Sequence, residues 1–182
     1  AGFSNYQSIQ KTSFTDYLQW AETMLGDFNE LDRHLVAPEA FFDYLSQIKA
    51  LDRWNLEESA TPLMTDYLKF WETLLPFYTQ FKEALLAQGQ AYQGLVYRRA
   101  AEDLSHYLNS HGSKPHAFIG FNALNPAEQI VIQELLAQGH TQVFWDMDHH
   151  FIADQQHSVS HFLRAYLNQW PYYSHHPKPN FP

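Results

Sequence analysis

Up to about His111 the apolar residues recur at steps of three and four, and beyond residue 112 that rhythm gives way to short apolar runs. This change of period constrains the fold more than any other feature. From Ser13 to about Val36, the residues Phe14, Leu18, Ala21, Leu25, Phe28, Leu31 and Leu35 fall on one helical face, and Ser13 with Asp16 resembles a capping box. Pro38 suits the first turn of a second helix carrying Phe41, Phe42, Leu45 and Ile48, and Thr61-Pro62 repeats that start signal. A long third helix is expected from Pro62 towards Ala87, with Leu63, Tyr67, Phe70, Trp71, Leu74, Phe77, Tyr78, Phe81 and Leu85 on its apolar side. Pro76 should kink it and Gly89 should cap it. A fourth helix, from about Ala91 to Asn109, places Leu95, Ala100 or Ala101, Leu104 and Leu108 inside.

After His111-Gly112-Ser113 the pattern reads strand, helix, strand. His116 to Phe121 is an apolar run of strand length, and Gln142 to Trp145 is a second. Between them Asn125-Pro126-Ala127-Glu128 is a helix start, with Asn as cap, Pro at the first position and Glu three residues after the cap. That helix carries Ile130, Val131, Leu135 and Leu136 as far as Gly139. A βαβ unit makes its strands parallel neighbours, and two strands alone do not form a stable sheet. Further strands are therefore expected outside this chain, near residues 3 to 9, or in the tail. A last helix from about Ser158 to Gln169 precedes a tail read as mostly irregular. The fold class is mainly α with a small α/β part: a helical subdomain of about four helices over 1–112, then a partial α/β segment over 113–182.

Composition narrows the function. The chain has 182 residues, a formal charge of −9 and no Cys, which excludes disulfides, thiolate metal sites and cysteine nucleophiles within it. No apolar run approaches a membrane span and no signal peptide opens the sequence, so a cytoplasmic location with no membrane partner is expected. The first residue is Ala1 rather than Met, and the chain is expected to be a piece of something longer. Its acidity argues against a main phosphate clamp, since Lys and Arg supply the affinity for nucleic-acid backbones and only Arg98-Arg99 comes near a basic cluster.

Chemistry could gather at Asp146, Asp148, His149 and His150, followed by Asp154, His157 and His161. Carboxylates and imidazoles are ordinary metal ligands, and His157 with His161 would share one helical face at i, i+4. Against this, Ser158 stands where a helical zinc hydrolase needs Glu, and a solvated strand end explains the same residues. In open α/β sheets, ligands collect beyond the carboxyl ends of the strands. Gly120 to Asn125 and Asp146 to His150 are therefore the candidate functional edge, with Asn122 and Asp146 leaving it side by side. No phosphate loop, dinucleotide fingerprint or nucleophile elbow is present. The acid pairs Glu57-Glu58 and Glu102-Asp103 read as solvated, and the aromatic stripe of the third helix reads as core rather than as a base-stacking surface.

Three stretches carry a resemblance: Gly26-Asp-Phe-Asn-Glu-Leu-Asp-Arg-His-Leu-Val36; Tyr78 to Gly89 with Ala91-Tyr-Gln-Gly-Leu95; and Phe118-Ile-Gly-Phe-Asn-Ala-Leu-Asn-Pro-Ala-Glu128. Together, over about residues 13 to 170, they resemble the AddB-like, PD-(D/E)XK nuclease family proteins of Bacteroidetes, which look like fusions of a superfamily I helicase-like region with a C-terminal nuclease. The resemblance implies an internal fragment: a helical insertion followed by part of a RecA-like helicase core. In related UvrD-like helicases the first strand ends in Asp-Glu and the second in a Gly-Asp-x-Asp-Gln-like coupling motif. On this chain the first pair of positions falls on Ile119 and Gly120, and the second motif on Trp145 to His149. Asp146 and Asp148 match, His149 replaces Gln, and both acids of the Walker-B-like pair are missing. Isoleucine neither coordinates magnesium nor polarises water, so the resemblance implies a degenerate hydrolysis site with no catalytic residue in this chain. No cofactor is expected here; ATP, magnesium, DNA and an AddA-like partner subunit belong to the implied parent, an exonuclease and helicase-like enzyme in recombinational repair. Two alternatives stand beside it: an independent metal-dependent hydrolase using Asp146, Asp148, His149 and His150, and a helical protein-interaction module.

Overall fold

The computed structural model describes residues 14–54 and 62–181, with side-chain surroundings defined for 18, 20–48 and 72–181. The chain is mainly helical with a two-stranded parallel sheet and a helix between its strands. It divides into two compact units, Ala1–Leu95 and Val96–Pro182. In chain order the helices α1 Phe14–Arg33, α2 Pro38–Trp54, α3 Pro62–Ala87, α4 Gln93–Glu102 and α5 Leu104–His111 precede β1 His116–Ile119, α6 Pro126–Ala137 and β2 Thr141–Phe144. Then come α7 His149–Ala153, a single 3-10 turn at Ser158–Ser160, α8 His161–Gln169 and α9 Tyr172–His175.

The first unit is built on aromatic packing. Met24, Phe28 and Leu31 of α1, Phe42 of α2, and Leu74, Phe77 and Tyr78 of α3 form its core. Phe28 lies edge-on to Tyr78 at 5.2 Å and to Phe42 at 6.3 Å. Each such side chain contributes about 1.5–3 kcal/mol by burial. Phe28 and Leu31 of the expected α1 face are buried, but Leu18 and Leu25 are exposed, and Met24 takes the interior position beside Leu25. Phe41 of α2 is likewise exposed beside the buried Phe42. Apolar residues sit on more than one side of both helices, so spacing alone does not select the face. The Ser13 cap, the α3 residues Leu63 to Trp71 and the Glu57-Glu58 pair lie outside the residues whose side chains are described.

A polar group sits inside this apolar core. Asp32 is fully buried, and its carboxylate accepts hydrogen bonds from the hydroxyls of Tyr78, at 2.6 Å, and of Tyr92. A buried carboxylate without such partners costs several kcal/mol, so these bonds fix the register of α1 against α3 and against the segment leading into α4. Nearby, the Gly94 amide donates to Asn29 Oδ1 at 2.7 Å, drawing the first turn of α4 onto α1.

Helix ends follow local chemistry. Gly89 is left-handed at φ 67°, and the Gln90 amide reaches back to the Leu85 carbonyl at 2.9 Å, the Schellman closure its glycine predicts. The helix expected from about Ala91 to Asn109 is divided instead. Asp103 leaves helical geometry at φ −94°, ψ 10°, its carboxylate held by Arg99 at 2.6 Å, and α5 restarts behind it.

In the second unit β1 and β2 pair in parallel, His116 opposite Thr141 and Ile119 opposite Phe144, with α6 as the crossover. The Asn125 capping box is present in both directions, each bond 2.9 Å. Phe118 and Val143 turn to one face, against Ile132 and Leu136 of α6, Tyr166 and Trp170. Ile130, expected inside, is exposed, and Ile132 with Ala127 is buried in its place. The next register pair points the other way: Ile119 is 70% exposed and Phe144 50%. Parallel sheets are normally covered on both faces. Among the described residues the tail adds no strand: Tyr172–His175 forms the short helix α9, whose two tyrosines join the core, and residues 3 to 9 lie outside the described residues.

Two glycines of the first unit test its packing with opposite signs. A Cβ on Gly94 would lie 2.2 Å from the Asn29 carbonyl oxygen, whereas a Cβ on Gly26 meets nothing within 4 Å. Urea unfolding should show Gly94→Ala destabilised by about 1–3 kcal/mol and Gly26→Ala stabilised by about 0.5–1 kcal/mol; equal effects would contradict this arrangement of α1 and α4.

Candidate functional site at the ends of the parallel strands

The two strand exits are held from one side by α8 and α9. Gly120 follows β1 in a left-handed conformation, φ 74°, while its amide still donates to the Phe144 carbonyl at 3.1 Å. The loop then dives inward at Leu124, which is buried. Its amide donates to the Tyr166 hydroxyl at 2.7 Å and its carbonyl accepts from Gln129 Nε2 at 3.0 Å. Both backbone groups of a buried loop residue are thus satisfied by side chains. After β2, Trp145 packs on Tyr166 and Trp170, each at 5.8 Å, and its indole N–H donates to the Tyr173 hydroxyl at 3.0 Å.

The residues beyond these anchors are exposed. Ile119 closes β1 and Gly120 follows it, so the first exit presents no carboxylate at either position. Asn122 and Asp146 are exposed on neighbouring segments, and Asp146 makes no hydrogen bond or ion pair among the described residues. Asp148 acts as a cap instead: its Oδ1 accepts from the His150 amide at 2.7 Å and starts α7, a helix not foreseen from the sequence. His149 and His150 are exposed on that helix.

Asp146, Asp148, His149 and His150 do not converge with one another or with the later imidazoles; no group of three metal-ligating side chains exists among the described residues. His157 and His161 do not share a helical face either. His157 precedes the helix and its Nδ1 accepts from the Val159 amide at 3.3 Å, because a 3-10 turn separates it from α8. Asp154 accepts from the Gln156 amide at 2.9 Å, an Asx turn. Glu102 and Asp103 pair with Arg98 and Arg99 rather than with each other.

Arg164 organises this loop. It is the one Lys or Arg between Lys114 and Lys178, a signal visible in the sequence. Its guanidinium donates to the carbonyls of Phe151, at 3.1 Å, Asp154, at 2.8 Å, and His157, at 2.8 Å, and to the hydroxyl of buried Ser160. Those donors are spent on backbone, which rigidifies residues 151–157 and leaves this cation committed to structure rather than to a phosphate.

Comparison with known proteins finds no family model, no curated protein and no solved structure that matches the chain.

Burial raises the pKa of Tyr166 above its ordinary 10.0, the Leu124 amide acting against the rise and Glu128 adding to it. Burial likewise raises Tyr173, opposed by the Trp145 indole and reinforced by Tyr172. The folded chain therefore keeps protons that the unfolded chain loses near pH 10. Stability from these groups is level below about pH 10 and falls as pH rises through the folded-state values. Urea unfolding across alkaline pH should show this fall, and Tyr166→Phe should make it shallower; an unchanged pH dependence would contradict the coupling.

Proposed function

We propose that this chain is a noncatalytic, helicase-like segment of an AddB-like ATP-dependent helicase–nuclease, a cytoplasmic protein that processes DNA double-strand-break ends for recombinational repair. The observation that carries the reading is the composition of the two strand exits. A parallel βαβ unit sets Ile119-Gly120 beside the segment that bears Asp146 and Asp148, in the order that a hydrolysis motif and a coupling motif take in a RecA-like core. The first exit has no carboxylate to bind magnesium or orient water, Asp148 is engaged in capping α7, and Arg164 is engaged with carbonyls. This supports a core that keeps the shape of a nucleotide-hydrolysing domain without its chemistry. The uncovered face at Ile119 and Phe144 fits a parallel sheet that takes a second covering layer, and the two strands alone fit a sheet that continues at its edges. DNA, ATP with magnesium, and an AddA-like partner subunit then engage other parts of the parent protein.

The metal-hydrolase reading gains nothing from the geometry, since its four residues do not assemble.

The open reading frame of the gene tests the proposal. A phosphate-loop motif upstream and a carboxylate-rich nuclease motif downstream are expected, and the absence of both would sink the assignment. Calorimetry of this chain should show no saturable ATP–magnesium binding at about micromolar affinity; such binding would contradict an inactive site.

A further inference from the structure

The first unit holds a groove of about 540 Å³ between α1 and α2. Met24, Phe28 and Leu31 floor it, and Val36, Phe41 and Leu45 form its walls. Val36 and Phe41 are 37% and 40% exposed, so the wall is apolar surface open to solvent among the described residues. The chain accepts strain to build it. Leu35 closes α1 in a Schellman motif, with the Val36 amide on the Leu31 carbonyl and the Leu35 amide on the Asp32 carbonyl, both at 3.0 Å. Its φ is 54°, a conformation costly for a residue with a Cβ. That turn brings Val36 to the end of the groove.

The rim is acidic. Asp27 has no hydrogen bond or ion pair among the described residues, and Glu30 meets Arg33 at 2.7 Å and His34 at 3.5 Å. Thirteen of the chain's 20 Asp and Glu lie in residues 1–95, but six of its 11 Lys and Arg. That field repels nucleic acid, and it repels a second copy, which brings another −9. Residues 1–13 offer a single base, Lys11.

We propose that the α1–α2 groove docks an amphipathic helix of a partner protein, with apolar side chains in the groove and Lys or Arg on the Asp27–Glu30 side. A helix in a groove uses anchors at i, i+3, i+4 and i+7, which suits a walled apolar slot, and opposite charge on the rim sets its orientation.

The test is fluorescence anisotropy of the full chain with a labelled synthetic peptide of Leu at helical spacing and Lys elsewhere. A second peptide has the same composition with Leu and Lys alternating. The helical peptide should bind with Kd of about micromolar size, and the alternating one about tenfold more weakly. Phe41→Ser should weaken binding about tenfold and Asp27→Lys about threefold with a smaller salt dependence, while Tyr44→Ser, an exposed aromatic outside the groove, should leave it unchanged. If Phe41→Ser fails to fold by circular dichroism, Val36→Thr replaces it, with a loss of about threefold expected. Equal binding of the two peptides, unchanged binding by the groove variants, or no saturable binding by the full chain overturns the proposal; the last is also the result expected if this chain or a second copy fills the groove.

Discussion

One hydrogen bond, from the Leu124 amide to the Tyr166 hydroxyl, holds the candidate site in place. Tyr166 is almost wholly buried and stacks on Trp170 at 5.0 Å, and Trp145 packs against both rings at 5.8 Å. A single side chain of α8 thus touches both strand exits, the first by a polar bond and the second by ring packing. The geometry is demanding because Leu124 is itself buried. Its amide has no water to turn to, and an unpaired buried donor costs about 1–3 kcal/mol. The βαβ unit supplies the parallel strands; Tyr166 decides where their ends point.

The first unit solves a similar problem with another polar anchor. Asp32 lies deep in an aromatic core, where the hydroxyls of Tyr78 and Tyr92 help make a carboxylate tolerable. In each unit a tyrosine hydroxyl supplies direction where apolar packing alone would allow slippage, since aromatic contacts tolerate small rotations and hydrogen bonds do not. What the two anchors leave exposed differs in kind: strand ends with few carboxylates in the second unit, an apolar groove with an acidic rim in the first.

Much of this was legible where the determinants are local. Asn125-Pro126-Ala127-Glu128 specifies its own capping box within four residues, and Gly89 its own turn, so both appear as their sequences predict. Helix faces were less legible. Leu25 and Phe41 continue an apolar rhythm yet face solvent, because adjacent Met24 and Phe42 pack inside instead, and Leu18 and Ile130 are exposed as well. The acidic and His-rich stretch left two readings open in the sequence, a metal site and a solvated strand end. Asp148 and Asp154 are short carboxylates close to free amides, and they bond their own backbone rather than gathering a metal. The bond between Leu124 and Tyr166 spans 42 residues, and no local pattern announces it. Arg164 was half visible, as a lone cation in a long stretch without others, but its carbonyl partners depend on how residues 151–157 fold back.

Amide hydrogen exchange at Leu124, followed by NMR in the wild-type chain and in Tyr166→Phe, tests the central claim most directly. The account predicts a Leu124 amide that exchanges about as slowly as the core of α6 in the wild type, and at least tenfold faster in the variant while α6 itself stays protected. A Leu124 amide that exchanges as fast as those of the exposed loop residues in the wild type, or equally slowly in both proteins, would contradict it.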